Sequence, residues 1–205
     1  MTVRLVLVHG ATSGPWVFDR WSDWLTDVEV VAPDLQDGLH VAHAGMADYT
    51  GRVVAAAGDA RHVLCGWSMG GLVAMLAAAT TSPAALVVIE PSLPAELGRR
   101  DATVEPTPGV YEAESAYGPV PPGVRHRPES LLALGERQRG VSVPSIDVPL
   151  LVVAGRDFAD TRGRPVVDRY GGELLRFPHL DHRALVGDVE VVTAIGDWVR
   201  RAVPA

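Results

Sequence analysis

The sequence predicts an α/β fold built on a mostly parallel sheet of about six strands flanked by helices. Three observations carry that prediction. Short β-branched apolar runs recur along the 205 residues, and each is followed by a turn signal and then a helical pattern. The second to fifth runs are apolar almost throughout where they are regular, as parallel strands covered on both faces must be.

The runs are Val3 to Val8, Val28 to Ala32, His62 to Trp67, Ala85 to Glu90, Leu150 to Ala154 and a weaker Leu174 to Phe177. Between them, Pro15 to Thr26 places Val17, Trp21, Trp24 and Leu25 on one helical face. Asp48 is expected to cap a helix reaching about Gly58. An Ala-rich helix is expected from Met69 to Thr80. A last one, Asp188 to Val203, carries Val192, Ile195, Trp198 and Val199 as a stripe for docking on the sheet. One stretch breaks the rhythm: residues 91–148 hold nine of the 16 prolines, with helical character only near Pro128 to Arg139. The organisation expected is one domain over 1–205 with 91–148 as a short, Pro-rich, lid-like insertion.

Composition removes whole classes of chemistry. Apolar residues make up 47% and charged residues 21%, which disfavours disorder and coiled coil. A net charge of −7 argues against a phosphate-tracking nucleic-acid surface. The single cysteine, Cys65, forms no internal disulfide and reads as a small buried hydrophobe, consistent with a reducing cytoplasm. There is no Lys and no Asn, so Schiff-base chemistry, a Ser-Lys dyad, a P-loop lysine and a Cys-His-Asn triad are excluded. The same bias is that of a GC-rich bacterial genome. No stretch approaches the ~18 apolar residues of a membrane span, and the opening apolar run is too short for a signal peptide. Neither nucleic acid nor membrane is an expected partner, and the expected location is cytoplasmic.

The chemistry concentrates at Gly66-Trp67-Ser68-Met69-Gly70-Gly71, which follows an apolar strand and opens a helix. Gly-x-Ser-x-Gly in that context is a nucleophile elbow, in which glycines permit a turn too tight for flanking side chains. A serine hydroxyl needs a base oriented by an acid. Asp157 follows the fifth strand and His182 the sixth, giving the chain order Ser68, Asp157, His182. Glu90, at the end of the fourth strand, is the alternative acid, and His179 the competing base. Asp181 reads as a turn acceptor. Two backbone donors would hold an oxyanion: the N–H of Met69, and that of Ala11 in the small-residue turn His9 to Gly14. Trp16, Trp67, Tyr111 and Tyr117 are pocket candidates, whereas Trp21 and Trp24 fit core packing. His40 and His43 have a spacing open to a metal, but the glycines around them read as a solvated loop, and no metal is expected.

Together these residues resemble the α/β-hydrolase superfamily over nearly the whole chain except residues 91–148. Val8-His9-Gly10-Ala11 with Trp16, and Asp181-His182-Arg183-Ala184-Leu185, are similar to segments of the plant methyl-ester esterase and hydroxynitrile lyase group. Ala32-Pro33-Asp34-Leu35 is similar to the superfamily's post-strand segment, but Asp37-Gly38-Leu39-His40 replaces the Gly-x-Ser that often follows. Trp67 stands where His is commonest before the nucleophile, and the hairpin that opens the full eight-stranded sheet has no counterpart before residue 3.

The resemblance implies a serine hydrolase that cleaves a carboxylic ester or thioester through an acyl-enzyme on Ser68 and needs no cofactor. Its substrate would be a small-molecule or carrier-bound acyl compound. An acyltransferase, cyclase or carrier-protein thioesterase of a biosynthetic pathway, using the same triad, is the alternative. A lyase is disfavoured because the lysine such lyases use for cyanide is absent, and a binding-only scaffold because every triad position is filled.

Overall fold

The computed structural model describes residues 3–98, 100–112 and 123–204. Six parallel strands form one sheet: β1 (Arg4–Val8), β2 (Glu29–Val31), β3 (His62–Trp67), β4 (Ala85–Ile89), β7 (Leu150–Ala154) and β8 (Glu173–Arg176). Their spatial order is β2-β1-β3-β4-β7-β8. All six match expected runs to within a residue or two at their ends. Alternation along each strand divides the core into two layers. Leu5, Leu7, Val63, Cys65, Val87, Ile89, Leu151 and Val153 face one side, under Trp21, Leu25, Val192, Ile195 and Trp198. Val6, Val8, Leu64, Leu86, Val88, Leu150 and Val152 face the other, under Tyr49, Val53, Leu72, Val73 and Val166.

The first layer is covered by α1 (Trp21–Trp24) and by α6 (Val189–Ala202), whose N-cap Asp188 accepts from the Glu190 N–H at 2.8 Å. The second is covered by α2 (Met46–Ala57), α3 (Met69–Thr81) and α5 (Arg164–Tyr170). Two helices depart from expectation. Pro15 to Thr26 is not continuous: a 3-10 turn over Pro15–Phe18 gives way to the single turn of α1. Burial of Phe18, Trp21 and Leu25 overrides helical propensity there, and the Trp21 indole N–H donates to the Val186 carbonyl at 2.8 Å. In α2 the N-cap is Gly45. Asp48 lies one turn in and accepts from the Gly45 N–H at 2.8 Å, so it closes the helix start from inside.

The described part of residues 91–148 carries more order than its prolines suggest. β5 (Val110–Tyr111) and β6 (Glu129–Ser130) pair antiparallel, and α4 (Leu131–Arg139) follows. Ser130 is the N-cap of α4 and accepts from the Ala133 N–H at 3.2 Å. Among the described residues no helix is long and apolar enough to cross a membrane.

Candidate active site

The elbow is set by close backbone approach. A Cβ on Gly70 would lie 2.2 Å from the Val8 carbonyl oxygen, and one on Gly66 would lie 2.2 Å from the Gly70 carbonyl oxygen. Only glycine at both positions lets α3 start directly off β3. Ser68 between them sits at φ 57°, ψ −122°, a region costly for a residue with a side chain. Its backbone is held on both sides: its N–H donates to Ile89 O at 3.0 Å, and its carbonyl accepts from Gly71 at 3.0 Å and Ser92 at 2.8 Å.

β4 lies beside β3, with Ile89 in register with Trp67. The chain then bends through Glu90 at φ 41°. This bend turns a fully buried carboxylate toward His182. Glu90 Oε2 is 2.6 Å from His182 Nδ1, and Oε1 accepts from the Gly155 N–H at 2.7 Å. The carboxylate beside His182 is therefore Glu90, which corrects the expectation of Asp157. Asp157 lies beyond Gly155 on the rim of the same cleft, its side chain 37% exposed and paired with the Arg156 Nε at 3.1 Å. The first residue after β7 supplies the N–H that anchors Glu90, and Asp157, two residues further on, sits at the exposed rim.

His182 is clamped by aromatics. Its ring is 5.1 Å from Trp67 and 5.3 Å, edge-on, from Phe158, and the Trp67 indole donates to its carbonyl at 2.9 Å. The competing His179 is exposed and lies 3.6 Å from Glu190. Asp181 accepts from the N–H groups of Arg183 and Ala184, which hold its carboxyl below the usual range. It is the turn acceptor expected.

A cleft of about 490 Å³ opens over these groups, lined among others by Ala11, Trp67, Ser68, Arg137, Asp157 and His182. Met69 opens α3, so its N–H belongs to the first turn, which lacks intrahelical acceptors. Ala11 is placed by the turn after β1. The Gly10 carbonyl accepts from His9 Nδ1 at 3.0 Å and Ser13 Oγ at 2.8 Å. In a trans peptide the N–H points opposite to the carbonyl, so these contacts also fix the direction of the Ala11 N–H. His9 Nε2 accepts from the Leu35 N–H at 3.1 Å and lies 3.1 Å from Arg127, so Nδ1 carries the proton. Burial lowers this histidine to about 4.

Two pocket candidates fall outside the cleft lining. Trp16 packs under Arg125, whose guanidinium carbon is 4.1 Å from the ring centre, and Tyr111 belongs to β5. Tyr117 lies outside the described residues. Trp21 is fully buried, as is Cys65, whose thiol burial pushes well up. His40 and His43 are exposed, their rings 5.0 Å apart. No group of three or more His, Cys, Asp or Glu that could hold a metal occurs among the described residues. Sequence reasoning passed over Glu129 altogether. This isolated acid among the prolines proves fully buried.

The profile described as "Alpha/beta hydrolase family" matches residues 5–196. The chain belongs to the alpha/beta hydrolase family. No curated protein sequence matches it. Solved structures share the fold at low identity. The methylesterase MES16 from Arabidopsis is 18% identical with a TM-score of 0.72, covering 98% of this chain and 99% of that one. The pyrethroid hydrolase PytH is 19% identical with a TM-score of 0.71, over the full length of both chains. ClbQ from the colibactin NRPS/PKS pathway is 13% identical with a TM-score of 0.70, covering 98% of each.

Proposed function

We propose that this hydrolase-family chain cleaves a carboxylic ester or thioester through an acyl-enzyme on Ser68. His182 is the base and Glu90 the acid, and residues 91–148 form a reduced lid over a single domain. The observation that carries the reading is the buried Glu90 carboxylate 2.6 Å from His182 Nδ1, with His182 lining the same cleft as a serine on a strained elbow. With Nδ1–H donated to Glu90, Nε2 of His182 is free to accept a proton.

In this reading Ser68 Oγ attacks the acyl carbon while His182 Nε2 takes its proton. The oxyanion forms toward the N–H groups of Ala11 and Met69. As the tetrahedral species collapses, His182 returns the proton to the departing alkoxide or thiolate. Water then attacks the acyl-serine, giving a proton to His182. Collapse releases the carboxylic acid and restores the Ser68 hydroxyl. The aromatic clamp on His182 keeps the imidazole in one orientation through both halves.

The test is intact-mass spectrometry after treatment with a fluorophosphonate, on wild type and Ser68→Ala. One adduct on wild type, formed with loss of fluoride and absent from the variant, is expected. A folded wild type that takes no adduct refutes the acyl-enzyme. Ester and thioester panels, with and without added alcohol, amine or thiol acceptors, then separate hydrolysis from acyl transfer.

A further inference from the structure

Resting on the reading of Ser68 as nucleophile, we infer that Glu129 is a positioning residue that sets the oxyanion turn from the insertion. Glu129 is fully buried in β6, far in sequence from the elbow and outside the Glu90–His182 pair. Its Oε2 accepts from the Thr12 N–H at 2.9 Å. Its Oε1 accepts from the Tyr49 hydroxyl at 2.5 Å, the Ser130 N–H at 2.9 Å and the Gln36 amide at 3.1 Å. Four donors converge on one carboxylate, more than a neutral side chain could accept.

The neighbouring backbone points the same way. The Arg127 N–H donates to the Thr12 carbonyl at 3.0 Å, so both backbone polar groups of Thr12 are held by residues 127–129 of the insertion. Thr12 has φ 57°, a left-handed conformation that a β-branched residue adopts only when its surroundings impose it. Thr12 follows Ala11 directly. Its N–H anchor fixes one end of the peptide unit whose other neighbour carries the Ala11 donor. Together with the contacts on the Gly10 carbonyl, Glu129 thus holds how that donor faces Ser68, and it couples the insertion to transition-state stabilisation without touching substrate.

Glu129→Gln tests this with a built-in asymmetry. The Gln oxygen is drawn to the Oε1 position, where three donors meet, which leaves its NH2 group facing the Thr12 N–H. The fold keeps most of its contacts, but the anchor on the turn is lost. Removal of an oxyanion donor costs ~10²–10³ in rate. Loosening one is expected to lower kcat about tenfold or more, with KM within about twofold, and to slow fluorophosphonate capture by a similar factor. Tyr170→Phe is the control for a lost, partly buried side-chain hydrogen bond: away from the cleft, that hydroxyl donates to the Val143 carbonyl at 2.6 Å. It should lower Tm without changing kcat.

Wild-type capture rate and kcat in Glu129→Gln overturn the inference and leave the Ser68 reading standing. Loss confined to KM overturns it too. No adduct on wild type overturns both. If Glu129→Gln does not fold, amide hydrogen exchange of the wild type decides: a protected Thr12 amide supports the anchor, and one exchanging at the free-loop rate refutes it.

Discussion

Replacing Glu90 by Gln should nearly abolish turnover, whereas Asp157→Asn should leave it almost intact. The structure sets the direction of the first effect. Glu90 Oε1 is committed to the Gly155 N–H at 2.7 Å, so a Gln oxygen takes that place and its NH2 group faces His182 Nδ1. An NH2 donor there requires Nδ1 to be the acceptor, which moves the proton to Nε2 and leaves no lone pair for Ser68. The corresponding wrong-tautomer change in a serine-protease triad costs about 10⁴ in kcat, or about 5.5 kcal/mol at 1.36 kcal/mol per decade. A loss of about 10³–10⁴ is expected here. Asp157 makes only a rim pair with Arg156, and exposed pairs are worth about 0–1 kcal/mol. Its variant should stay within about threefold of wild type. Steady-state kinetics on an activated ester, with circular dichroism to verify folding, is the assay. Full activity in Glu90→Gln together with a large loss in Asp157→Asn would refute the assignment of the acid.

Four other outcomes follow from the same structure. His9 is lowered from 6.5 to about 4 by burial, so the unfolded chain binds a proton that the folded chain refuses. Its contribution is complete above pH 6.5 and is lost as pH falls toward 4, by about 3 kcal/mol in all; urea midpoints from pH 7 to 4.5 should fall along that slope, and less steeply in His9→Gln. Gly70→Ala forces a Cβ to 2.2 Å from Val8 O and should cost about 3 kcal/mol or prevent folding. Gly51→Ala, in the exposed face of α2 with nothing within 4 Å, should gain about 0.5–1 kcal/mol, and thermal melts of the pair check both signs. Cys65, buried with its thiol pushed up, should resist a thiol reagent in native protein and react on unfolding; rapid native labelling would contradict the packing of β3.

The strands were legible because parallel strands buried on both faces announce themselves as unbroken apolar runs, and His62–Trp67 and Leu150–Ala154 matched to the residue. The elbow was legible because its glycines answer a steric demand visible in five residues. The carboxylate beside His182 is not the one chain order favours, because chain order offers two carboxylates after neighbouring strands and only the left-handed bend at Glu90 decides which reaches His182. Backbone dihedrals of that kind leave no mark in composition or spacing. Glu129 was missed for a related reason. Its partners, Thr12, Gln36 and Tyr49, lie more than 75 residues away in the chain, and nothing local distinguishes it from a solvated acid. The helix expected over Pro15 to Thr26 failed because its aromatic stripe records burial faithfully but is indifferent to whether α or 3-10 turns deliver it.

Placing the carboxylate that meets His182 at the end of β4 has a consequence for how such a protein can change over time. The imidazole's support comes from the innermost part of the sheet, one strand from the nucleophile. The segment after β7 supports the Glu90–His182 pair through the Gly155 N–H, the Phe158 ring beside His182 and Arg162 on the Glu90 carbonyl. The side chains of Arg156 and Asp157, paired with each other at the rim, make none of those contacts. Substitutions at these two positions can reshape the mouth of the cleft while the Glu90–His182 pair keeps its contacts. Under the proposed function, the rim is therefore the place where new substrate preferences can arise without first disabling catalysis.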